Sequence, residues 1–448
     1  MKKSVLLHLF AFVCFCGGAF AQNTSPTVAP TRPREVVAPT DLPAPTPTIV
    51  PRLIITNAPT PMPTPTAAPR PFSTPANVPP PINTPVSPTQ IYPAPVPSPI
   101  SRPAPTFYKP LTFAQIKKEI AEARRQMQAR PMHTAMTDSA TSTDFIRIAF
   151  YDYKTEKIDY VVMLKTTFLD KKSAEYATTT AEGKMVTVKN VRANGVNTPV
   201  LVIDQDNRAQ LPLLVQYPVE RDGEFYEMAY YMSTHPGIVT PEVVNAGRIY
   251  VRGIIDTART NLQKKGVYVS PQITDMAERL SIVEHVDHQR FKTEYQATIF
   301  NDIFALYALN EGQTYRYSVS TAGAGGMVQM IPWTYNMIRQ RFPGANLMPD
   351  FVEGMRNHTN AATAMLLYMQ TAWSDMTASE TVNQALADGI ATPAELMSAG
   401  YNSNPAKIAG YIKRGGANWK NLIPKETQIY LQINTSMDKF VPYIPRQK

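Results

Sequence analysis

Residues 311–334 read EGQTYRYSVSTAGAGGMVQMIPWT, and this stretch carries the strongest pattern in the chain. A predicted helix over 295–311 ends at Glu311, which is the first residue of this stretch. Three glycines surround one alanine at 323–326, and because glycine has no Cβ atom, such backbone can approach a ligand closely. No Asp or Glu occurs between Glu311 and Asp350. The stretch therefore suggests one functional carboxyl followed by a glycine-rich loop.

The helix before the loop predicts a desolvated carboxyl. Phe300, Phe304, Tyr307 and Glu311 are spaced 4, 3 and 4 residues apart, so they share one helical face. A carboxyl that continues an apolar stripe should lose water, and its pKa should then rise. A raised pKa suits a general acid at neutral pH.

The residues after Glu311 resemble the catalytic core of the soluble lytic transglycosylase family, which is similar in fold to goose-type lysozymes. The family pattern is matched at Ser320, Gly323, Ala324, Gly326, Gln329, Pro332 and Thr334. Two later blocks also match, AGYN at 399–402 and IPKETQIY at 423–430, so the resemblance covers about 295–435. The chain departs from the pattern at Gly312, where the family usually has serine, and in GYNSN, where it usually has AYNAG.

The resemblance implies a peptidoglycan lytic transglycosylase. Glu311 would act as general acid and then base, cleaving the β-1,4 bond between N-acetylmuramic acid and N-acetylglucosamine to leave a 1,6-anhydro product. Substrate-binding roles are implied for Ser320, Gly323, Ala324, Gln329, Tyr401 and Asn402. Ordinary glycosidases use two carboxylates, and the sequence offers no obvious second one. One acid suffices if the C6 hydroxyl of the sugar attacks intramolecularly.

Two alternatives remain open, a hydrolytic muramidase of goose-lysozyme type and a non-catalytic peptidoglycan-binding scaffold. Several residues also have simpler interpretations. Ser320 and Gln329 could brace the glycine loop, and Tyr315, Tyr317 and Trp333 could stack on sugars or pack in the core. Met327 and Met330 are predicted core residues, and Glu426 and Thr427 are predicted to begin the last helix as structural groups.

No metal or cofactor is predicted. His285 and His288, with Glu284 and Asp287, have a metal-like spacing but lack a further ligand at a regular distance. A charged, solvated helix face is the preferred interpretation. Cys14 and Cys16 are the two cysteines of the chain. Both lie in a predicted leader, so the mature protein would lack thiolate nucleophiles and cysteine metal sites.

That leader is a predicted signal peptide over 1–21. Lys2 and Lys3 precede an apolar run, and Ala19-Phe20-Ala21 forms a small-x-small cleavage site. An uncleaved membrane anchor is the alternative, but the run is short for a span of about 20 residues. We therefore expect a periplasmic or cell-envelope protein.

Residues 22–110 hold 27 of the 42 prolines, which predicts a disordered, polyproline-rich linker. It is interpreted as a tether, or as the ligand of an envelope protein that binds proline-rich sequence. The net charge of +9 falls to +3 from residue 111 onward. Without a dense basic run, this charge does not favour nucleic acid as a partner. Attraction to an anionic envelope polymer is expected instead.

The remaining chain predicts an α+β protein. Residues 111–140 form a predicted helical connector. Residues 141–222 form a predicted small β-rich domain, with five candidate strands that are rich in β-branched residues. Asn194-Gly195 is a predicted hairpin turn within it. Residues 236–448 are predicted to be an all-α, lysozyme-like lytic transglycosylase domain, with cap-plus-proline helix starts at Thr240-Pro241, Ser270-Pro271 and Asn404-Pro405.

Overall fold

A computed structural model describes residues 103–130, 142–170, 175–193, 197–221, 223–232, 235–312 and 323–447. The described residues do not include the predicted signal peptide, most of the proline-rich segment, the predicted Asn194-Gly195 turn or Ser320. The strands are β1 (Thr106–Phe107), β2 (Phe145–Asp152), β3 (Lys157–Leu164), β4 (Glu175–Thr179), β5 (Met185–Asn190), β6 (Val200–Ile203), β7 (Arg208–Ala209), β8 (Leu211–Arg221) and β9 (Glu224–Tyr231).

Helices frame and follow these strands. They are α1 (Phe113–Ala129), α2 (Lys165–Phe168), α3 (Pro241–Lys264), α4 (Pro271–Val283), α5 (His288–Thr293), α6 (Gln296–Leu309), α7 (Pro332–Arg341), α8 (Phe351–Arg356), α9 (His358–Thr377), α10 (Glu380–Ala387), α11 (Pro393–Asn402), α12 (Pro405–Gly415) and α13 (Lys425–Phe440). The predicted α+β class is confirmed. We call the described residues within 103–232 the β part and those from 235 onward the helical part.

The β part packs two sheets face to face. One sheet has the order β1-β7-β6-β5-β4, and the other has the order β3-β2-β8-β9. Neighbouring strands are antiparallel, apart from the short parallel pair β1 and β7. Ile146, Ile148 and Phe150 of one sheet meet Val188 and Val202 of the other in a shared core. Alternate residues of each strand therefore supply the interior of a small sandwich.

Strand β2 is buried on both faces, because α1 covers the side that faces away from the sandwich. Ile116, Ile120, Ala123 and Met127 recur every three or four residues and form one buried face of α1. They share a core with Ala149 of β2. The helix predicted as a connector is thus an integral layer of the β part.

Helix starts in the helical part follow the predicted chemistry. The side chains of Thr240, Ser270 and Asn404 accept hydrogen bonds from the first-turn N–H groups of Val243 (3.3 Å), Ile273 (3.2 Å) and Ala406 (3.0 Å). These three predicted caps are confirmed. Helices α3 and α6 cross closely at Gly247, where an added Cβ would lie 2.0 Å from the Phe304 carbonyl oxygen.

Several predicted boundaries differ from the structure. The folded part begins before residue 111, since Thr106 and Phe107 pair with β7. The β-rich segment continues past 222 through β9, and β4 was not predicted. The local sequence pattern predicts one helix over 271–290 and another over 351–374. In the structure the first ends at Val283 and the second is divided at Asn357. Asn357 begins α9 by accepting a hydrogen bond from the Asn360 N–H (2.9 Å), an N-cap that interrupts the helix.

The β part and the helical part share a core. Ala305, Ala308 and Leu309, at the end of α6, pack with Ile116 and Leu213 of the β part. Asn310 then forms a reciprocal pair with the Met232 backbone, accepting from its N–H (2.8 Å) and donating to its carbonyl oxygen (2.9 Å). The chain after α6 is therefore held against the β part.

Candidate functional site

A cavity of about 420 Å³ opens in the helical part. This volume lies in the range of small-molecule sites. Its walls come from the end of α4, the glycine loop, the starts of α7 and α13, and the end of α11. The lining residues are Val283, Glu284, Val286, His288, Ala324, Gln329, Met330, Ile331, Thr334, Tyr368, Tyr401, Asn402, Ser403, Glu426 and Tyr430.

The cavity brings together four of the predicted site residues from two separate sequence blocks. Ala324 and Gln329 come from the glycine loop, and Tyr401 and Asn402 come from the end of α11. Gly323 adjoins Ala324 in the chain but does not line the cavity. The three ordered blocks of sequence therefore converge on one place, since α13 also begins there.

The glycine loop is built for packing rather than for exposing backbone to a ligand. Gly326 has φ of +70°, and an added Cβ would lie 2.2 Å from the Met355 carbonyl oxygen. Gly325 is buried and its N–H donates to the Met330 carbonyl oxygen (2.9 Å). The expectation that the glycine backbone is open to close approach by a ligand is therefore wrong for these two positions. Met327 and Met330 are buried, which confirms their prediction as core residues.

Gln329 both lines the cavity and braces the loop. Its backbone has a positive φ of 45°, and its side-chain amide donates to the Gly326 carbonyl oxygen (2.8 Å). The bracing interpretation from the sequence is confirmed for this residue. The amide oxygen belongs to the same rigidly held group, so it is presented in a fixed direction.

Tyr401 and Asn402 are also fixed by neighbouring elements. The Tyr401 hydroxyl donates to the Val328 carbonyl oxygen in the glycine loop (2.6 Å). The Thr427 hydroxyl donates to the Asn402 side-chain oxygen (2.8 Å), and Thr427 is fully buried. The structural role predicted for Thr427 is confirmed. Together these bonds tie the glycine loop, α11 and α13 into one frame around the cavity.

Glu284 is the partly buried carboxyl of this cavity. It follows the last residue of α4 and accepts a hydrogen bond from the Tyr430 hydroxyl (2.7 Å). Burial raises the pKa of Glu284 to about 8, the Tyr430 hydrogen bond opposes this rise, and the nearby charge of Glu426 adds to it. A carboxyl that keeps its proton at neutral pH beside an open cavity can act as a general acid.

The sequence singled out Glu284 only as a member of a metal-like cluster, for which a charged helix face was the preferred interpretation. A signal for it was nevertheless present in the sequence. Ile273, Ala277, Leu280 and Glu284 are spaced 4, 3 and 4 residues apart, the same spacing that pointed to Glu311. The first three are buried in the structure. The same helical pattern therefore occurs twice in the chain, and the sequence alone does not distinguish the two carboxyls.

Glu311 lies away from the cavity. Phe300, Phe304 and Tyr307 are buried as predicted, but α6 ends at Leu309 and a turn follows. The Glu311 side chain is 43% exposed, and its carboxylate accepts from the Lys117 ammonium group of α1 (2.9 Å). The predicted loss of water at Glu311 is therefore wrong, because the turn directs this carboxyl toward solvent and α1.

Gly312 has a local structural reason to be glycine. Its φ is +83°, a left-handed conformation that serine adopts only with strain. Its N–H donates to the Tyr250 hydroxyl (2.5 Å), and its carbonyl oxygen accepts from the His358 N–H (3.2 Å). The departure from the family pattern at this position thus fits the turn that holds Glu311 outside the cavity.

A second carboxylate lines the same cavity as Glu284. Glu426 lies exposed in the first turn of α13, where the helix dipole favours a negative charge. Its charge is close enough to disfavour ionisation of Glu284. A structural role was the preferred interpretation of Glu426 from the sequence, because nothing in the sequence placed α13 beside α4.

The other candidates have mixed outcomes. His285 does not lie on a solvated face, since its ring packs edge-on against Tyr307 (5.6 Å between centroids) and bonds the Met327 carbonyl oxygen (3.1 Å). In the described ranges, no group of three or more His, Cys, Asp and Glu side chains could hold a metal ion. Trp333 is 71% exposed rather than in the core. Tyr315 and Tyr317 lie outside the described residues.

Within the part of the chain that the structure describes, no helix combines the length and the apolar character needed to cross a bilayer. The chain was also compared with known proteins. No protein-family model, no curated protein and no solved structure matches it. The case for a function therefore rests on the cavity that contains Glu284.

Proposed function

We propose that this protein is a peptidoglycan lytic transglycosylase with a lysozyme-like helical part, and that Glu284 rather than Glu311 is its general acid. One observation carries the proposal: Glu284 shares a cavity with Ala324, Gln329 and Asn402, which the family resemblance singled out independently. Glu311 lies outside that cavity and is paired with a lysine.

The chemistry follows from a single protonated carboxyl. Glu284 donates its proton to the glycosidic oxygen between N-acetylmuramic acid and N-acetylglucosamine, and the bond from C1 to that oxygen breaks. The carboxylate then accepts the proton of the C6 hydroxyl of the same muramic acid, whose oxygen forms a bond to C1. The products are a 1,6-anhydro end and a free C4 hydroxyl, and Glu284 has regained its proton. Intramolecular attack makes the water nucleophile unnecessary.

The neighbours of Glu284 support these steps. The Tyr430 hydroxyl holds Oε1, which fixes the direction of the carboxyl and stabilises the carboxylate formed after the first step. Gln329 and Asn402 present amide groups that suit sugar hydroxyl and acetamido groups. Because both amides are held by internal hydrogen bonds, they can orient a sugar without losing much conformational freedom on binding.

Glu426 favours a second candidate, a hydrolytic muramidase. Hydrolases of glycans pair an acid with a second carboxylate that activates water or forms a covalent intermediate. Glu426 lines the same cavity as Glu284, so it could take that part. The outcome differs chemically, since hydrolysis leaves a reducing end and transglycosylation leaves a 1,6-anhydro end.

The test compares Glu284→Gln and Glu311→Gln on purified sacculi, with released fragments analysed by mass spectrometry. We expect Glu284→Gln to lose at least 100-fold in rate, in line with the typical contribution of general acid catalysis. Glu311→Gln should retain activity within about threefold. The reverse result would reassign the acid to Glu311, and full activity in both variants would exclude both carboxyls as the acid. A wild type that releases no fragments would leave only the scaffold interpretation.

The fragments from wild type and Glu426→Gln decide between the two chemistries. Anhydro ends from both proteins support the transglycosylase, whereas reducing ends that depend on Glu426 support the muramidase.

We further propose that the protein acts in the periplasm or cell envelope, with its proline-rich segment as a tether to peptidoglycan or to an envelope protein.

A further inference from the structure

A second cavity, of about 390 Å³, adjoins the first. Glu284 and Val286 line both cavities, so the carboxyl lies where the two meet. The second cavity lies between the β part and the helical part. Arg192 and Asn197 contribute from the β part, and Gln289, Arg290 and Asp302 contribute from the helical part.

Both arginines that line this second cavity are close to carboxylates. Arg290 donates to the Asp302 carboxylate (2.7 Å) and to Glu294 (2.8 Å), and the Arg192 guanidinium lies 3.7 Å from Asp302. The side chain of Arg290 is mostly buried, while that of Arg192 is 32% exposed. A wall of fixed and mutually compensated donors and acceptors suits an uncharged, hydroxyl-rich ligand better than a strongly charged one.

We propose that the second cavity holds the glycan on the other side of the cleaved bond, and that Arg192 and Gln289 bind that half of the substrate. This inference rests on the proposed function. A glycosidic bond joins two sugars, so an acid that protonates the bridging oxygen needs room for sugar on both sides. The two cavities that meet at Glu284 provide that room.

The inference gives the β part a role in substrate selection. Arg192 follows strand β5, and the sandwich core that holds β5 fixes where this residue emerges. A glycan long enough to fill both cavities gains contacts with the β part that a short one lacks. A glycan that is bound on both sides of the acid is cleaved at an internal bond. The enzyme should therefore prefer long oligosaccharides to short ones.

The experiment measures binding of linear β-1,4 N-acetylglucosamine trimer and hexamer to full-length Glu284→Gln by calorimetry. We expect the hexamer to bind at least tenfold more tightly than the trimer. Adding Arg192→Ala or Gln289→Ala should reduce this advantage to less than threefold. Lys189→Ala is the matched control, since Lys189 pairs with Glu175 on β4 and does not line the cavity.

Gln289 is exposed, so Gln289→Ala tests the cavity even if Arg192→Ala disturbs the fold. The inference is overturned if both variants keep the hexamer advantage, if the hexamer binds no better than the trimer, or if neither oligomer binds. The proposed function fails separately, when Glu284→Gln still clears sacculi. An inactive Glu284→Gln with an unchanged hexamer advantage in both variants would refute only the role of the second cavity.

Discussion

The raised pKa of Glu284 makes the stability of the fold depend on pH in a calculable way. Unfolding returns this carboxyl from a pKa of about 8 to an ordinary value of 4.5. Below the ordinary value the group is protonated in both states and contributes no pH dependence. Above it, the unfolded carboxyl ionises while the folded one stays protonated, so the free energy of unfolding falls by up to about 1.4 kcal/mol per pH unit.

The expected penalty is about 3 kcal/mol at pH 7 and about 5 kcal/mol above pH 8, where it levels off. Glutamine matches the protonated carboxyl in shape and does not titrate. Glu284→Gln should therefore gain stability relative to wild type as pH rises from 5 to 8. Part of the gain is offset by any hydrogen bond to Tyr430 that the amide makes less well than the carboxyl.

Urea unfolding of wild type and Glu284→Gln, followed by circular dichroism at pH 5, 6, 7, 8 and 9, measures this difference. Glu311→Gln is the matched control, because its carboxyl is exposed to water and lies outside the cavity. A difference between wild type and Glu284→Gln that stays constant across this range would refute the argument that Glu284 is protonated in the folded protein.

Three further outcomes are expected. Tyr430→Phe removes a hydrogen bond that lowers the pKa of Glu284, so the alkaline limb of the pH–rate profile for sacculus clearing should move to higher pH; an unchanged limb would contradict the role of Glu284. Gly326→Ala combines a positive φ with a clash, so its melting temperature should fall sharply, whereas Gly344→Ala, with no atom within 4 Å of its added Cβ, should melt like wild type. The Arg446 guanidinium lies 2.8 Å from the Asp275 carboxylate and 2.7 Å from the Glu278 carboxylate, and Arg446→Ala removes this shared partner. Chemical denaturation should therefore show a free energy of unfolding lower by about 3 kcal/mol. A decrease below about 0.5 kcal/mol would show that the cluster contributes little to stability.

Much of the secondary structure could be predicted from local sequence. The starts at Thr240, Ser270 and Asn404 depend on a capping side chain and the proline that follows it, which are adjacent in the chain. Strands rich in β-branched residues could also be predicted, because their composition is a property of a short, continuous segment. Strand β9, with the sequence EFYEMAYY, was missed because its stability comes from pairing with β8 rather than from its own composition.

The candidate site was predicted only in part. Ala324, Gln329, Tyr401 and Asn402 were selected from sequence order and do share a cavity. Their selection depended on residue types and spacing within short blocks, and such blocks fold locally. The second cavity and the contribution of Arg192 could not be foreseen, because they arise where the β part meets the helical part.

The sequence by itself determined where helices begin, which faces they bury, and that a carboxyl would end an apolar stripe. This pattern of an apolar stripe that ends in a carboxyl occurs twice, at Glu284 and at Glu311, with identical spacing. Only the tertiary structure decided between them. The packing of α4 against α13 and the glycine loop encloses Glu284, whereas the left-handed turn at Gly312 and the ion pair with Lys117 keep Glu311 in water. Periodicity specifies the direction of a side chain from its own helix, but burial depends on what the rest of the chain places opposite it.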